Sequence, residues 1–238
     1  MSQSDLQAEH AAYLLRYGTY ASNQALALLR RSEARLNAQI RDLLDDFTEA
    51  DRQKFLRGSF QAKRLISLRE SVRELSAAIA SAARDSINDN GKALAEYEAE
   101  HTLKSLRVAG VTGLGEGVAA GQVFAAAMSK PMIGVHVRDW LRDLDRNTSR
   151  MIFGAIREGL VLGEANASIV RRIKGSADLK FKDGLLFNRK RGIETVVRTS
   201  MSHIASVSQA AALEAAGVEE YYLSVVFDGR TSKICAAW

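Results

Sequence analysis

The stretch Ser59–Val108, SFQAKRLISLRESVRELSAAIASAARDSINDNGKALAEYEAEHTLKSLRV, decides the fold. It holds no proline and one glycine, Gly91. Proline breaks a helix by removing a donor and clashing with the preceding turn, whereas alanine and leucine lose little entropy in one. Leu65, Leu68, Val72, Leu75, Ile79 and Ala82 step by three and four alternately, which lines them up on one stripe of an α-helix. The charged residues Lys63, Arg64, Arg69, Glu70, Arg73 and Glu74 lie off that stripe. A heptad seam of this kind has two uses. It can pack against the preceding segment as a helical hairpin, the preferred reading, or dock a partner or a second copy as a rod.

Upstream, Asn23–Phe47 carries a second amphipathic pattern through Leu29, Leu36, Ile40, Leu43, Leu44 and Phe47, with Ser22 as its expected N-cap. Thr48 and Asp51 have the spacing of a capping box for a short helix after it. Downstream, Gly110, Gly113, Gly115, Gly117 and Gly121 mark the clearest boundary in the chain. No GKS or GKT follows them and no strand-forming run precedes them, so a hinge and an alanine-rich helix over about 116–128 are expected rather than a phosphate loop.

Beyond the only proline, Pro131, the pattern shortens. A helix is expected around Trp140, Leu141 and Leu144, and a second, capped at Asn147-Thr148 and closed by Gly163, through Met151, Ile152, Ile156 and Leu160. A short helix ending at Gly175 should come next, then a small hairpin about Asp183-Gly184 within 180–187. A helix from Ile193 to Ala216 should stop at Gly217. Tyr221–Phe227 alternates as a strand, turned by Asp228-Gly229. The expected fold is mainly α, with a long helical hairpin or rod in the N-terminal half and a small α+β module at the C-terminal end. The expected divisions are an extended helical docking region over 1–110, a glycine-rich hinge and helix over 111–129, and the module over 130–238.

The chain has 238 residues, is 47% hydrophobic and 26% charged, and is too apolar for a disordered protein. One cysteine, Cys235, permits no internal disulfide. The first ten residues have neither a basic nor an apolar region, so no secretory signal is expected, and no run of about 18 apolar residues suggests a membrane span. His10, His101, His136 and His203 are scattered, with no paired-cysteine or HExxH spacing, so neither a metal nor another cofactor is expected.

Two clusters carry possible chemistry. Asp228, Arg230, Thr231 and Cys235 follow the candidate strand. They read best as a structural turn and helix cap, the other reading being a catalytic site in which Cys235 meets His203. The second cluster is basic: Arg171, Arg172, Lys174, Lys180, Lys182, Arg189, Lys190 and Arg191 fall within 171–191, with Asp178 and Asp183 as the only acids there. The window nets +6 (eight minus two) in a chain of +5, so the remainder nets −1. Local cation density of this order suits nucleic acid, where affinity grows with the counterions released. Phe181 and Phe187 interleave with the charges and either stack on bases or anchor the loop in the core. A solvated loop is the other use of such a run.

The order of the C-terminal pieces resembles the phage Mu F-like head morphogenesis family of minor capsid proteins. The likeness begins in VRDWLRDLDRNTSRMIFGAIREGLVLGEANASIVRRIKG, with Trp140 in the first helix, and continues in VVRTSMSHIASVSQAAALEAAGVEEYYLSVVFDGRTSKICAAW. Arg198-Thr199 opens a helix, Gly217-Val218 follows it, then an aromatic strand, then Asp228, Arg230-Thr231 and Cys235. Ser200 stands where the family often has glutamate, and Ser232 replaces the first of two cysteines, which rules out a paired-cysteine metal knuckle. The pattern usually runs on to an Asp-Gly, so the module would be cut short at Trp238. The resemblance covers about 130–238. It implies a non-enzymatic minor protein inside the virion, near the portal vertex, present in the host cytoplasm during assembly. Implied partners are the portal, other head proteins, packaged double-stranded DNA and further copies of the chain, with no membrane. A sequence-independent DNA-binding protein ejected with the genome is the alternative.

Overall fold

Seven helices follow one another in the computed structural model, which describes residues 3–114 and 118–218. They are α1 (Gln3–Asp45), α2 (Glu49–Leu56), α3 (Lys63–Val108), α4 (Ala120–Ser129), α5 (Val137–Val161), α6 (Asn166–Lys174) and α7 (Leu185–Ala215). Among the described residues the one piece of β pairing is an isolated bridge between Met132 and Val135. The expected strand 221–227 and the Asp228–Cys235 turn lie outside the described residues.

Helix α3 is the spine. It packs against α1 and α7, which also pack on each other, and it meets α4 and α5. Every seam residue from Leu65 to Ala82 is buried in this chain's own core. Burying one leucine of that seam stabilises the fold by roughly 2 kcal/mol. The core continues without a break from Ala21 of α1 to Ala205 of α7, so helices on both sides of the glycine-rich stretch share it. Where α3 crosses α5, the buried Ser76 hydroxyl lies 2.6 Å from both Asp145 Oδ1 and Ser149 Oγ.

Several local expectations hold. Thr48 caps α2 in a complete capping box with Asp51. Gly163, at φ 67°, follows α5 with the Glu164 N–H bonded to the Gly159 carbonyl, and Gly217, at φ 74°, closes α7 in the same manner. Helix α6 ends at Gly175 as expected.

Others are corrected. Helix α1 begins near the chain's start rather than at Asn23, and Ser22 is no cap: it is buried within the helix, its hydroxyl donating to the Thr19 carbonyl at 2.9 Å. Gly18 lies in mid-helix facing α7, where a Cβ would meet the Arg198 Cα at 3.8 Å, an ordinary van der Waals contact. Asn147-Thr148 does not start a new helix. Helix α5 runs through it, because the buried Thr148 hydroxyl donates to the Leu144 carbonyl at 2.6 Å and is satisfied inside the helix. The Asp183-Gly184 hairpin is absent: Gly184 has φ −85°, which a type I′ turn forbids, and it serves as the N-cap of α7.

A basic loop and a buried histidine–glutamate cluster

The basic window spreads over three connected pieces. Arg171, Arg172 and Lys174 end α6, Lys180 and Lys182 lie in the loop 175–184, and Arg189, Lys190 and Arg191 begin α7. Cations at a helix C-terminus meet its negative dipole end, which suits the sequence of α6. Some of the charge is spent internally. Arg172 pairs with Glu158 at 2.7 Å and with Glu164, and Lys190 pairs with Glu33 at 2.9 Å. Arg189 has its Nε buried without a partner among the described residues. Arg171, Lys174, Lys180, Lys182 and Arg191 are exposed and form no ion pair among the described residues.

The loop between α6 and α7 is clasped at its base. Asp183 accepts from the Ser176 backbone N–H and from the Ser176 hydroxyl, both at 2.8 Å. These bonds, the N–H foremost, hold the Asp183 carboxyl below the usual range. A Cβ on Gly175 would lie 2.7 Å from the Phe181 carbonyl oxygen, and one on Gly184 would lie 2.3 Å from the Lys174 carbonyl carbon. Only glycine permits this approach of the two ends. At the loop's crest Lys180 and Phe181 adopt φ 52° and φ 60°, a left-handed conformation that non-glycine residues rarely take. The Lys174 ammonium sits 5.0 Å from the centre of the Phe181 ring. The structure separates the two phenylalanines: Phe181 is exposed on the loop, whereas Phe187 is half-buried on α7.

The described residues of the family-like pattern occupy separate packing positions. Trp140 is half-buried on α5 against the core, its indole Nε1 without a partner among the described residues. On α7, Arg198 is exposed beside Gly18, Thr199 is half-buried, and Ser200 is fully buried with its hydroxyl 3.7 Å from the Met132 sulfur. His203 is held by the Ala127 carbonyl at 2.9 Å. Asp228, Arg230, Thr231 and Cys235 lie outside the described residues.

A second cluster escaped the sequence reading. Glu98 of α3 is fully buried, and its Oε2 accepts from His10 Nε2 of α1 at 3.0 Å and from the Gln209 amide of α7 at 2.7 Å. One carboxylate oxygen thus ties three helices together. The His10 ring stacks on His101 with centroids 3.9 Å apart, and Tyr13 and Tyr97 meet at 4.6 Å. A cleft of about 510 Å³ opens over these rings, lined also by Glu9 and Arg16. Burial pushes the Glu98 carboxyl up, although Gln209 and His10 pull it back, and burial lowers the His101 imidazole. Tyr17 is pushed up to about 12 by burial and by Tyr13 and Tyr20, so its hydroxyl stays a donor to the Asn90 carbonyl at 3.0 Å. His10 Nδ1 and Glu98 Oε1 are buried and unpartnered among the described residues. The sequence signals were weak: Tyr13, Tyr17 and Tyr20 at helical spacing on one segment, and Glu98 and His101 three apart on another.

No helix among the described residues is long and apolar enough to cross a membrane, and none of their His, Cys, Asp and Glu groupings suits a metal ion. No family model matches the sequence, and no curated protein and no solved structure matches it at a significant level.

Proposed function

We propose that this chain is a minor structural protein of a bacteriophage head, acting by docking and by contact with packaged DNA rather than by catalysis. The assignment to a phage head rests on the Mu F-like order of Trp140, Arg198-Thr199, Gly217, Asp228, Arg230-Thr231 and Cys235. The observation that carries DNA contact is the set of exposed cations around the α6–α7 loop, on a chain whose remaining residues are close to electroneutral. Phosphate binding needs this kind of local excess rather than a high overall charge. The helical assembly of α1, α3 and α7 would supply the docking surface towards the portal, other head proteins or further copies.

The test is co-purification. The protein should travel with portal protein from lysates and remain with purified virions or proheads. Its absence from both particles would overturn the assignment. DNA contact predicts that binding to a duplex weakens steeply with added salt, and that alanine at Arg171, Lys174, Lys180, Lys182 and Arg191 abolishes most of that binding. The same basic surface equally serves a sequence-independent DNA-binding protein that leaves with the genome. Recovery of the chain with ejected DNA, rather than with emptied heads, would favour that second reading.

A further inference from the structure

We propose that the clasped loop 175–184 is a stacking site for an unpaired base of single-stranded nucleic acid, with Phe181 as the stacking ring and Lys180 and Lys182 beside it in the chain for the flanking phosphates. The proposal rests on the reading that this face contacts nucleic acid and narrows it to a class of strand.

Three observations converge on the loop. It is built to hold a shape: the two hydrogen bonds that Ser176 donates to the Asp183 carboxylate and the glycine-permitted contacts at Gly175 and Gly184 close its base. It holds Lys180 and Phe181 in a conformation that costs roughly 1 kcal/mol or more per residue, so the fold maintains this crest against a local preference. Finally, it exposes apolar surface where a solvated loop would not, with Leu179 at 59% and Phe181 at 40%. Compact loops with closed ends and strained crests are common carriers of function.

The placement of the ring selects the ligand. One face of Phe181 lies under the Lys174 ammonium. A wedge that enters a duplex between two base pairs must offer both faces, and the Lys174 ammonium already takes one of them. A ring with one face taken suits end-on stacking against a single unpaired base. The ammonium on the far face enriches the pairing, since a cation and an aromatic ring attract. Lys180 and Lys182 flank the ring in the chain, and the exposed Arg171 and Arg191 extend the positive surface along the adjoining helices. A nucleic-acid strand presents this alternation of flat ring and phosphate.

The experiment uses the full chain, a fluorescein-labelled oligo-dT strand, a duplex of equal length, and vesicles containing anionic phospholipid. Phe181→Ala should weaken oligo-dT binding by about tenfold and leave duplex binding within about twofold. Phe181→Trp should restore the affinity, and its added indole emission should be quenched by oligo-dT. Replacing Lys180 and Lys182 by alanine should flatten the salt dependence of oligo-dT binding by about 1.4 in the log–log slope. Circular dichroism of each variant, expected to match the parent, separates a lost contact from a lost fold. If the parent binds neither strand form, the DNA-contact reading and this proposal both fail. If it binds with a steep salt dependence but Phe181→Ala leaves oligo-dT affinity unchanged, stacking is refuted while DNA contact stands. Vesicle binding that depends on Phe181, without oligo-dT binding, would overturn the proposal in favour of a membrane surface.

Discussion

Glu98 and His10 lie 88 residues apart in the chain and 3.0 Å apart in space, and the fully buried carboxylate oxygen between them also takes the Gln209 amide. A buried acceptor shared by two donors is costly to remove, because both half-buried donors then lose their charged partner. Glu98→Ala should therefore destabilise the protein by about 3 kcal/mol. Glu98→Gln keeps an oxygen in place and loses only the charge, so it should cost about 1 kcal/mol. Urea unfolding at neutral pH measures both, and equal losses in the two variants would show that the shared acceptor is not what matters.

His101 gives the same cluster a pH dependence of definite sign. Burial, then the stacked His10 and then Lys104 hold its pKa below the ordinary histidine value of 6.5. The unfolded chain takes up that proton first, so the stability contributed is complete above the ordinary value and is lost as pH falls through it. Glu98 works the other way. Its carboxyl is raised, chiefly by burial, so its protonation adds stability as pH falls towards the ordinary carboxylate range. The other groups around the rings are Glu9, Tyr13 and Arg16 on α1, Tyr97 on α3 and Gln209 on α7. His101→Phe keeps a ring against His10 and removes the proton. The urea midpoint of the parent should fall between pH 7.5 and pH 5.5 by more than that of the variant, and parallel declines would remove His101 as the cause.

Helix α2 depends on a cap that can be tested alone. The Thr48 hydroxyl accepts from the Asp51 N–H at 3.2 Å, and Asp51 Oδ2 accepts from the Thr48 N–H at 3.1 Å and from Arg64 at 3.2 Å. Thr48→Ala should cost about 1 kcal/mol and Thr48→Ser almost nothing. The bonds from Thr48, with that from Arg64 behind them, hold the Asp51 carboxyl below the usual range. Its contribution is present above that range and is lost as pH falls below it. A thermal melt of the two variants at pH 7 checks the cap, and similar losses in both would assign the effect to packing instead.

What could be read in the sequence was local. The seam from Leu65 to Ala82 was visible because helical period alone sets it, and the Thr48–Asp51 cap because its partners are three residues apart. Helix stops at Gly163 and Gly217 were visible because glycine supplies the positive φ that follows a helix. Ser22 and Thr148 were misread as caps because a hydroxyl inside a helix bonds back to its own turn, and other misreadings depended on partners outside the local turn. Asp183 resembled half of a hairpin turn, but its carboxylate reaches back to Ser176. The basic window announced itself through composition, whereas which of its cations are free depended on Glu33, Glu158 and Glu164. The Glu98 cluster left almost no trace, since Gln209 is 111 residues from the carboxylate it holds.

Two helical glycines that look equivalent in sequence should respond differently to alanine. At Gly159 of α5 a Cβ would lie 2.4 Å from Ile169 Cγ1, an atom near the root of a β-branched side chain on α6. That chain has little freedom to turn away. Gly159→Ala should thus push α6 off α5 and cost about 2 kcal/mol, even after the roughly 1 kcal/mol that alanine gains over glycine inside a helix. At Gly91 of α3 the nearest atoms, both at 2.7 Å, are the Ile204 Cδ1 methyl and the Phe124 ring edge, the far ends of their side chains. Those ends can swing aside more readily than a branch point, so the strain and the gain in helix propensity should nearly cancel. Gly91→Ala is then expected within about 1 kcal/mol of the parent by urea unfolding. A larger loss at Gly91 than at Gly159 would mean that the crossing of α3, α4 and α7 is the more rigid of the two contacts, and that side-chain reach is the wrong criterion.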